Sequence, residues 1–334
     1  MHNTVLHGDC LDLLPTIPDN TVDLILTDPP YYRVKNLPWD RQWDSPDGFL
    51  AWMDRVLEQF QRVLKPNGSL YVFASPRMAA RVEVLTASRF NVLTHIVWAK
   101  PYSRANQSSK EALRSFFAAS ERIVFAEPIE ASDAYHEANG GLRATLFEPI
   151  RAYIAGEFAR AGISVREVAR RLGVTPTMVS QHYLSRSQWH MPTPAAYAKM
   201  RAALNDQGGT EYLRRGYEDL RREYEDLRAQ YETFRRPFHA TPERPYTDVW
   251  TYPTVNHYPG KHPTEKPQPL LRHIIETSTR PNALVLDAFA GSGSTLQAAR
   301  DLGRHYIGIE KDDHWHQHAT NRMTQTALMP MAAE

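Results

Sequence analysis

Residues 22–31, VDLILTDPPY, form an apolar run that ends abruptly at an acid and two prolines. The run has no polar alternation over residues 24–26, which predicts a strand buried on both faces of a parallel sheet. Proline cannot donate to a strand ladder, so we expect the strand to end at Asp28. Ligands of open α/β sheets lie beyond the carboxyl ends of strands. Asp28 and Tyr31 are therefore predicted to lie at a binding site.

The residues that follow this strand suit chemistry on the exocyclic amine of a nucleobase. Such a nitrogen is a poor nucleophile, because its lone pair is delocalised into the ring. A carboxylate and a fixed carbonyl can hold it by accepting its hydrogens, and an aromatic ring can stack on the base. We assign these catalytic roles to Asp28, the Pro29 carbonyl and Tyr31, with Pro30 also fixing the backbone. The alternative is a plain strand end followed by a proline-stiffened turn.

A second motif lies near the end of the chain, in residues 284–295, LVLDAFAGSGST. An apolar strand leads into a turn in which Gly291 and Gly293 let the backbone approach a ligand closely. A helical segment follows, and the next strand, residues 305–310, ends at Glu310. This order predicts a nucleoside-binding unit with Glu310 at the ribose hydroxyls. The third glycine of the dinucleotide fingerprint is missing, which argues against NAD.

Together the two motifs resemble those of the amino-group DNA methyltransferases, which methylate adenine N6 or cytosine N4 with S-adenosyl-L-methionine. The catalytic motif precedes the cofactor motif and a long insert separates them, which resembles the circularly permuted β group of that family. Residues 262–267, HPTEKP, resemble the family segment His-Pro-Thr-Gln-Lys-Pro, with Glu265 in place of glutamine. The resemblance covers residues 1–130 and 250–320.

The resemblance implies a Rossmann-like α/β methyltransferase fold, with a circularly permuted, mostly parallel sheet, helices on both faces and a helical insert domain. It also implies methylation of adenine N6 in duplex DNA by base flipping, because an acid at position 28 leans towards adenine in the family and serine leans towards cytosine. Cytosine-N4 methylation stays the alternative.

The resemblance places several residues at the cofactor. The glycine turn approaches the methionine moiety, Lys266 lies near the methionine carboxylate, and Asp9 lies near the adenine. For Asp9, capping of the helix that begins near Leu11 is an equal alternative. The predicted cofactor-binding residues are Asp9, Cys10, Asp287, Phe289, Ala290, Gly291, Ser292, Gly293, Glu310, Thr264, Lys266 and Pro267.

The composition limits the classes of protein to which this chain can belong. With 334 residues, 42% hydrophobic and 23% charged, the chain can form one sizeable α/β core and an extra module. A single cysteine excludes a disulfide framework, and the scattered histidines lack ligand spacing, so we predict no metal site. No apolar run approaches the roughly 20 residues of a membrane span, and we find no signal peptide, so we expect a cytoplasmic protein. The net charge of +1 means that any DNA surface is local.

Two loops are candidate nucleic-acid contacts. Residues 32–47 are rich in tryptophan and basic residues, as are loops that clamp a flipped base, although core packing is the rival role for the tryptophans. Residues 100–110 are polar and basic, and they either contact phosphate or form a solvated loop. The candidates in these loops are Arg33, Lys35, Trp39 and Arg104.

The insert contains a helix-turn-helix pattern over residues 162–185. Ser164 can cap the first helix, Gly173 provides the turn, and a second helix begins near Pro176. The alternative is a helical hairpin that serves only packing or protein contact. The side chains predicted to reach base edges or phosphates are Thr175, Thr177, Ser180 and Gln181.

A heptad seam of apolar residues occupies residues 210–236 of the insert. This helix packs either on its own domain or on a partner subunit. We divide the chain into a catalytic half, 1–135, a helical insert that we expect to recognise the target, 136–245, a cofactor-binding half, 246–323, and a tail, 324–334.

The expected partner is double-stranded DNA, with a homodimer and a cognate restriction endonuclease as open alternatives. Two rival functions also stay open. One is an RNA methyltransferase, and the other is a helix-turn-helix regulator with a non-catalytic methyltransferase fold.

Overall fold

The computed structural model describes residues 2–101, 116, 118–129, 141–206, 208, 210–241 and 247–324. The chain forms two compact units. The sheet unit comprises Met1–Ala131 and Arg236–Glu334, and the helical unit comprises Ser132–Arg235. Arg104, most of the basic loop 100–110 and the tail beyond residue 324 lie outside the described residues.

The sheet unit is built on one mixed sheet. Its strands in the described residues are β1 Thr4–His7, β2 Val22–Thr27, β3 Leu64–Ala74, β4 Phe90–Ala99, β5 Ser120–Pro128, β6 Val249–Thr251, β7 Leu284–Asp287 and β8 His305–Glu310. Their order is β1-β8-β7-β2-β3-β5-β4-β6, and only β5 is antiparallel to its neighbours. The two last strands of the chain thus lie between the two first ones, as the permuted motif order predicted.

Helices account for most of the remaining described residues. In chain order they are α1 Cys10–Leu13, α2 Pro46–Val63, α3 Ala79–Ala87, α4 Gly141–Leu146, α5 Glu148–Ala161, α6 Val165–Leu172, α7 Pro176–Met178, α8 Pro194–Asn205, α9 Tyr217–Phe234, α10 Gln268–Ser278, α11 Ser294–Asp301 and α12 Asp313–Thr324. Helices α4 to α9 belong to the helical unit.

Strand β2 lies in the interior of the sheet, and apolar side chains of this strand are buried on both faces. Leu24 and Leu26 are fully buried in the cluster that includes α10 and α11. Ile25 is fully buried in the other cluster, which includes α2 and α3. The sheet therefore has helices on both faces, and β2 pairs in parallel with β3 on one side and β7 on the other.

The helical unit has its own apolar core, and the heptad seam belongs to it. Leu220 on α9 is fully buried, and Tyr224 and Tyr231 pack against the same cluster as Phe147. Of the two places predicted for the seam, the structure has the one on its own domain. Leu220 is the fully buried member of the seam on α9, and Phe234 at its end is 55% exposed.

The end of the helical unit differs from the predicted domain division, which placed residues up to 245 in the insert. Arg236 donates to Glu127 at 2.6 Å, and Phe238 stacks on Phe125 with ring centroids 6.1 Å apart. These contacts hold the segment after Arg235 on the sheet unit. None of the described helices is both long and apolar enough to cross a membrane.

A pair of glycine substitutions tests the packing of β8 against α11. A Cβ on Gly308 would collide with the fully buried Leu296 and lie 3.2 Å from Ala290 Cβ. We expect Gly308→Ala to lower the free energy of unfolding by about 1 to 3 kcal/mol in urea denaturation.

The matched control is Gly156→Ala in helix α5, where a Cβ meets nothing within 4 Å. It removes backbone freedom from the unfolded chain without a clash, so we expect stabilisation of about 0.5 to 1 kcal/mol. Equal effects of the two substitutions would contradict the packing described for Gly308.

Candidate active site

The carboxyl ends of β1, β2, β7 and β8 meet at one edge of the sheet and border a cavity of about 540 Å³. Asp28 and Pro30 reach it from the end of β2, and Glu310 reaches it from the end of β8. Residues 287–292 reach it from the turn after β7. The two motifs that lie farthest apart in the sequence therefore line the same cavity.

The two carboxylate oxygens of Asp28 differ in their hydrogen bonding. Oδ2 accepts a hydrogen bond from Nζ of Lys266. Oδ1 is buried and has no hydrogen-bond partner within the described part of the chain. Burial raises the pKa of Asp28, the Lys266 charge opposes this rise, and the nearby Glu121 charge adds to it. The carboxyl group is thus a poorly satisfied acceptor beside the cavity.

The ammonium group of Lys266 contacts the Asp28 carboxylate in this structure. Its ammonium group also donates to the Thr264 carbonyl at 3.2 Å and lies 3.4 Å from Glu121 Oε2. Burial lowers the pKa of Lys266, but the charges of Asp28 and Glu121 outweigh burial and raise it. Lys266 is therefore a charged group that two carboxylates share.

Glu121 is a residue that sequence reasoning missed. It is the second residue of strand β5, and it accepts from the Tyr31 hydroxyl at 2.9 Å and from Lys100 Nζ at 2.5 Å. Burial raises its pKa, but Lys266 and Lys100 lower it to about 2. The only sequence signal was an acid at the edge of an apolar strand, and such an acid normally faces solvent.

Tyr31 is buried, with 8% of its surface exposed, and is not among the residues that line the cavity. The Lys266 ammonium lies 5.3 Å from its ring centroid. Pro29 does not line the cavity either, so the acceptor role of its carbonyl and the stacking role of Tyr31 stay predictions.

The loop after the catalytic motif is locked by Asp40, a second residue that the sequence did not reveal. Its fully buried carboxylate accepts from the backbone N–H of Tyr31 at 2.7 Å and of Lys35 at 2.5 Å. Tyr32 and Arg33 both have φ of 59°, a left-handed conformation that is strained for residues other than glycine. Asp40 compensates for this strain by satisfying the amides on either side.

Of the loop residues predicted to contact nucleic acid, Trp39 lines the cavity. Its ring centroid lies 6.4 Å from that of His262 with an angle of 22° between the planes. The Arg33 guanidinium donates to the Asp44 carbonyl at 3.1 Å, and Lys35 is engaged through its backbone N–H. By contrast, Trp43 is buried against Phe49, with centroids 5.0 Å apart.

The glycine turn and Glu310 are joined by hydrogen bonds. Glu310 accepts from the Gly291 N–H at 2.7 Å and from the Asp312 N–H at 2.8 Å, and burial raises its pKa. Gly291 and Gly293 have φ of 51° and 76°, and a Cβ on Gly291 would lie 3.3 Å from the His262 ring. Glycine is required here both by the backbone conformation and by the close approach.

Asp287 fixes the turn to the catalytic strand. Its Oδ1 accepts from the Thr27 hydroxyl at 2.9 Å and from the Phe289 N–H at 3.1 Å. Burial raises its pKa to about 6. Asp287, Ala290 and Ser292 border the cavity together with Phe289.

Asp9 both caps a helix and lines the cavity, so the two roles predicted for it are compatible. Its carboxylate accepts from the Leu11 N–H and from Lys311 Nζ, each at 3.0 Å. Burial raises its pKa, but these two donors lower it on balance. The neighbouring Cys10 also borders the cavity, and burial raises its thiol pKa to about 12, which makes the thiol unreactive.

The HPTEKP segment contributes Thr264 and Lys266 to the cavity wall, whereas Pro267 caps helix α10 and does not line the cavity. Glu265 accepts from Arg322 at 2.8 Å, and Arg322 also donates to the Ser292 carbonyl at 3.0 Å. The acid that replaces the family's glutamine thus has a cationic partner that is bound to the glycine turn.

The helix-turn-helix candidates lie in the helical unit and are exposed. The Thr175 hydroxyl caps helix α7 by accepting from the Met178 N–H at 3.2 Å, and the Ser180 hydroxyl donates to the Thr177 carbonyl at 3.2 Å. Gln181 lies in the π-helical turn Val179–Leu184 that continues α7. Unlike Thr175 and Ser180, the side chains of Gln181 and Thr177 make no local capping or hydrogen-bonding contact among the described residues.

The permuted sheet, the glycine turn and the facing Asp-Pro-Pro-Tyr motif define a class, the Rossmann-like methyltransferases. Comparison with known families agrees with this class. The chain belongs to the N6/N4 DNA methylase family, whose family model matches residues 22–321.

Two curated relatives come from Escherichia coli strain K12. The chain is 27% identical over 312 residues to the DNA adenine methyltransferase YhdJ, covering 92% of this chain and 78% of that protein. It is 47% identical over 98 residues to the putative methylase YubD, covering 28% of this chain and 41% of that protein.

Two solved structures share the fold. The M1.HpyAVI–SAM complex has a TM-score of 0.51 at 18% identity, covering 96% of this chain and 99% of that one. The cytosine-N4-specific PvuII DNA methyltransferase has a TM-score of 0.52 at 14% identity, covering 98% and 88%. The predicted methyltransferase fold is confirmed.

The role of Asp40 can be tested by amide hydrogen exchange. Asp40→Ala removes the acceptor of the buried Tyr31 N–H, at about 1 to 3 kcal/mol, and that of the part-buried Lys35 N–H, at a smaller cost. We expect faster exchange at both amides and a lower free energy of unfolding.

The control is Asp44→Ala, since the Asp44 side chain is exposed and Arg33 bonds only its backbone carbonyl. If the Asp40 and Asp44 variants protected the loop amides equally, Asp40 would not be the residue that locks the loop.

Proposed function

We propose that this protein transfers a methyl group from S-adenosyl-L-methionine to the N6 amine of adenine in double-stranded DNA. The observation that carries the proposal is the unpartnered Oδ1 of Asp28, in a residue that borders the same cavity as the glycine turn. A buried acceptor without a donor costs about 1 to 3 kcal/mol. An amine hydrogen that arrives from the cavity would satisfy it.

The residues around the cavity suit this cofactor. Its volume of about 540 Å³ is in the range of small-molecule sites. Glu310 provides carboxylate oxygens for ribose hydroxyls, Asp9 lies at the predicted adenine end, and the glycine turn offers close backbone approach for the methionine moiety. When bound, S-adenosyl-L-methionine supplies an electrophilic methyl group on a sulfonium sulfur.

Asp28 activates the amine by position and charge. The target base is flipped out of the duplex at an unstacking cost of a few kcal/mol, so that its amine can reach Asp28. One amine hydrogen bonds to the free carboxylate oxygen, which directs the nitrogen lone pair towards the methyl group. The new N–C bond forms as the S–C bond breaks, and the nitrogen then becomes acidic enough to release a proton to Asp28.

Lys266 keeps Asp28 ionised for this role. Burial alone would favour the protonated carboxyl, which cannot accept the amine hydrogen at that oxygen. We therefore assign Lys266 to Asp28 in place of the methionine carboxylate, because its ammonium donates to Asp28 and to the Thr264 carbonyl.

Aromatic contact with the flipped base is assigned first to Trp39, because it borders the cavity. Stacking on Tyr31 requires its ring to become accessible from beneath Lys266. The adenine choice rests on the acid at position 28, with support from the similarity to an adenine methyltransferase.

Product analysis tests the reaction. The purified protein is incubated with duplex DNA, RNA of the same sequence and labelled cofactor, and the digested nucleosides are analysed by mass spectrometry. We expect N6-methyladenine in DNA from the wild-type protein and at least about a hundredfold less from Asp28→Asn, which lacks the carboxylate.

Each other product refutes one part of the proposal. N4-methylcytosine without N6-methyladenine refutes the base, and label confined to RNA refutes the nucleic acid. A folded protein that binds DNA but transfers no methyl group supports the regulator with a non-catalytic fold.

We further propose that the helical unit is the target-recognition region and that the exposed residues of α7 and its π-helical continuation read DNA. A homodimer, a cognate restriction endonuclease and a cytoplasmic location stay predictions from the sequence.

The recognition role is tested at Gln181. The target sequence is first found by modified-base sequencing of DNA from expressing cells. On that duplex we expect Gln181→Ala to raise the KM for DNA roughly tenfold, the value of a lost side-chain contact to a base edge.

Gln230→Ala is the matched control, because Gln230 is an exposed glutamine on helix α9 of the same unit. Equal KM values for the two variants would refute the assignment of Gln181.

A further inference from the structure

Beside the catalytic motif lies a group of four charges of which Lys266 is buried and the other three are half-buried. We call it the charge cluster and define it as Asp28, Lys100, Glu121 and Lys266. Lys266 is 5% exposed and contacts both carboxylates, and Lys100 pairs with Glu121 on the opposite side. The two negative and two positive charges balance. The family motifs supply only Asp28 and Lys266, so Glu121 and Lys100 are additions made by the fold.

The contacts of Glu121 point towards the reacting group. Its Oε2 lies 3.4 Å from the Lys266 ammonium and accepts from the Tyr31 hydroxyl at 2.9 Å. Its Oε1 is held by Lys100 at 2.5 Å. Glu121 thus fixes two side chains that contact or adjoin Asp28, while it makes no contact with the cavity itself.

We propose that Glu121 is a positioning residue of the methyl-transfer site, which holds the Lys266 ammonium between two carboxylates so that one oxygen of Asp28 stays free to accept the amine. This inference rests on the proposed function.

The physical reason is that one ammonium group serves two anions. If Lys266 interacted with Asp28 alone, the pair would be tighter, and the carboxylate would be a weaker acceptor for the amine. Sharing with Glu121 also keeps the Nζ group between its acceptors, away from the free oxygen. Glu121 is itself fixed because Lys100 anchors it from the far side.

The groups that face Asp28 determine the direction of any pH effect. They are Lys266 from the HPTEKP segment, Glu121 from β5, Tyr31 from its own segment and Asp287 from β7. Among them, Glu121 carries negative charge that raises the pKa of Asp28, and Lys266 carries the positive charge that lowers it. The charge of Asp28 in turn raises the pKa of Asp287.

The first test is the pH profile of kcat for Glu121→Gln. Activity requires ionised Asp28, so the acid limb of the profile follows the pKa of Asp28. Removing the negative charge lowers that pKa, and we expect the midpoint to move down by about one pH unit. We also expect the plateau kcat to fall roughly tenfold, with the KM for the cofactor within about twofold of wild type.

Two further variants separate positioning from a structural role. Glu121→Asp retains the charge, and we expect it to restore the wild-type midpoint and most of the lost kcat. Glu127→Gln alters another buried carboxylate on the same strand, which pairs with Arg236 away from Asp28. It should lower stability without moving the midpoint.

For Lys100→Met we expect the midpoint of the acid limb to shift in the opposite direction. This variant also tests the inference if Glu121→Gln does not fold. Without Lys100, Glu121 attracts Lys266 more strongly, the pKa of Asp28 rises, and the acid limb moves to higher pH. An unchanged midpoint in both Glu121→Gln and Lys100→Met, or the same shift in Glu127→Gln, would overturn the inference. If the wild-type protein itself transferred no methyl group, the proposed function would fail first.

Discussion

The structure depends on the parallel pairing of β2 with β7, two strands that are separated by most of the chain. Leu24 pairs with Val285 and Ile25 with Leu286, and the buried Thr27 hydroxyl donates to Asp287 at the end of the pair. This pairing brings Asp28 and the glycine turn to the same edge of the sheet. Because both strands are buried on both faces, a shift in register would expose apolar side chains on each of them. The geometry of the site is thus fixed by the apolar core.

The same burial that fixes the site makes its charges costly. Charges in a protein interior must be paired, since desolvation strongly favours the neutral form. Within the part of the chain that the structure describes, Asp28 is paired through one oxygen only, and the charge cluster is neutral in sum. That arrangement retains an ionised acceptor in a poorly hydrated place. A carboxylate with hydrogen bonds to both oxygens would be more stable, but it would have no free oxygen to accept a hydrogen bond from an incoming amine.

The sequence predicted the elements whose signal is local. Strand β2, the amphipathic helix α2 and the glycine turn each carry their pattern within a few residues, and the order of the motifs implied the permuted sheet. The partner of Lys266 and the roles of Glu121 and Asp40 have no local signal. The bond between Lys266 and Asp28 spans 238 residues, and that between Tyr31 and Glu121 spans 90. Such contacts depend on strand order and side-chain direction, which a motif does not encode.

The insertion of a whole folded unit is compatible with this site because of where the chain leaves the sheet. The helical unit follows β5, and the chain returns as β6, which pairs with the far side of β4. These strands form one end of the sheet order, and β2, β7 and β8 belong to the other part. Loop-closure entropy grows slowly with length, so a long excursion between nearly adjacent strands costs little. A unit inserted at this place can therefore change in size without any change in the pairing of β2 with β7, which fixes the site.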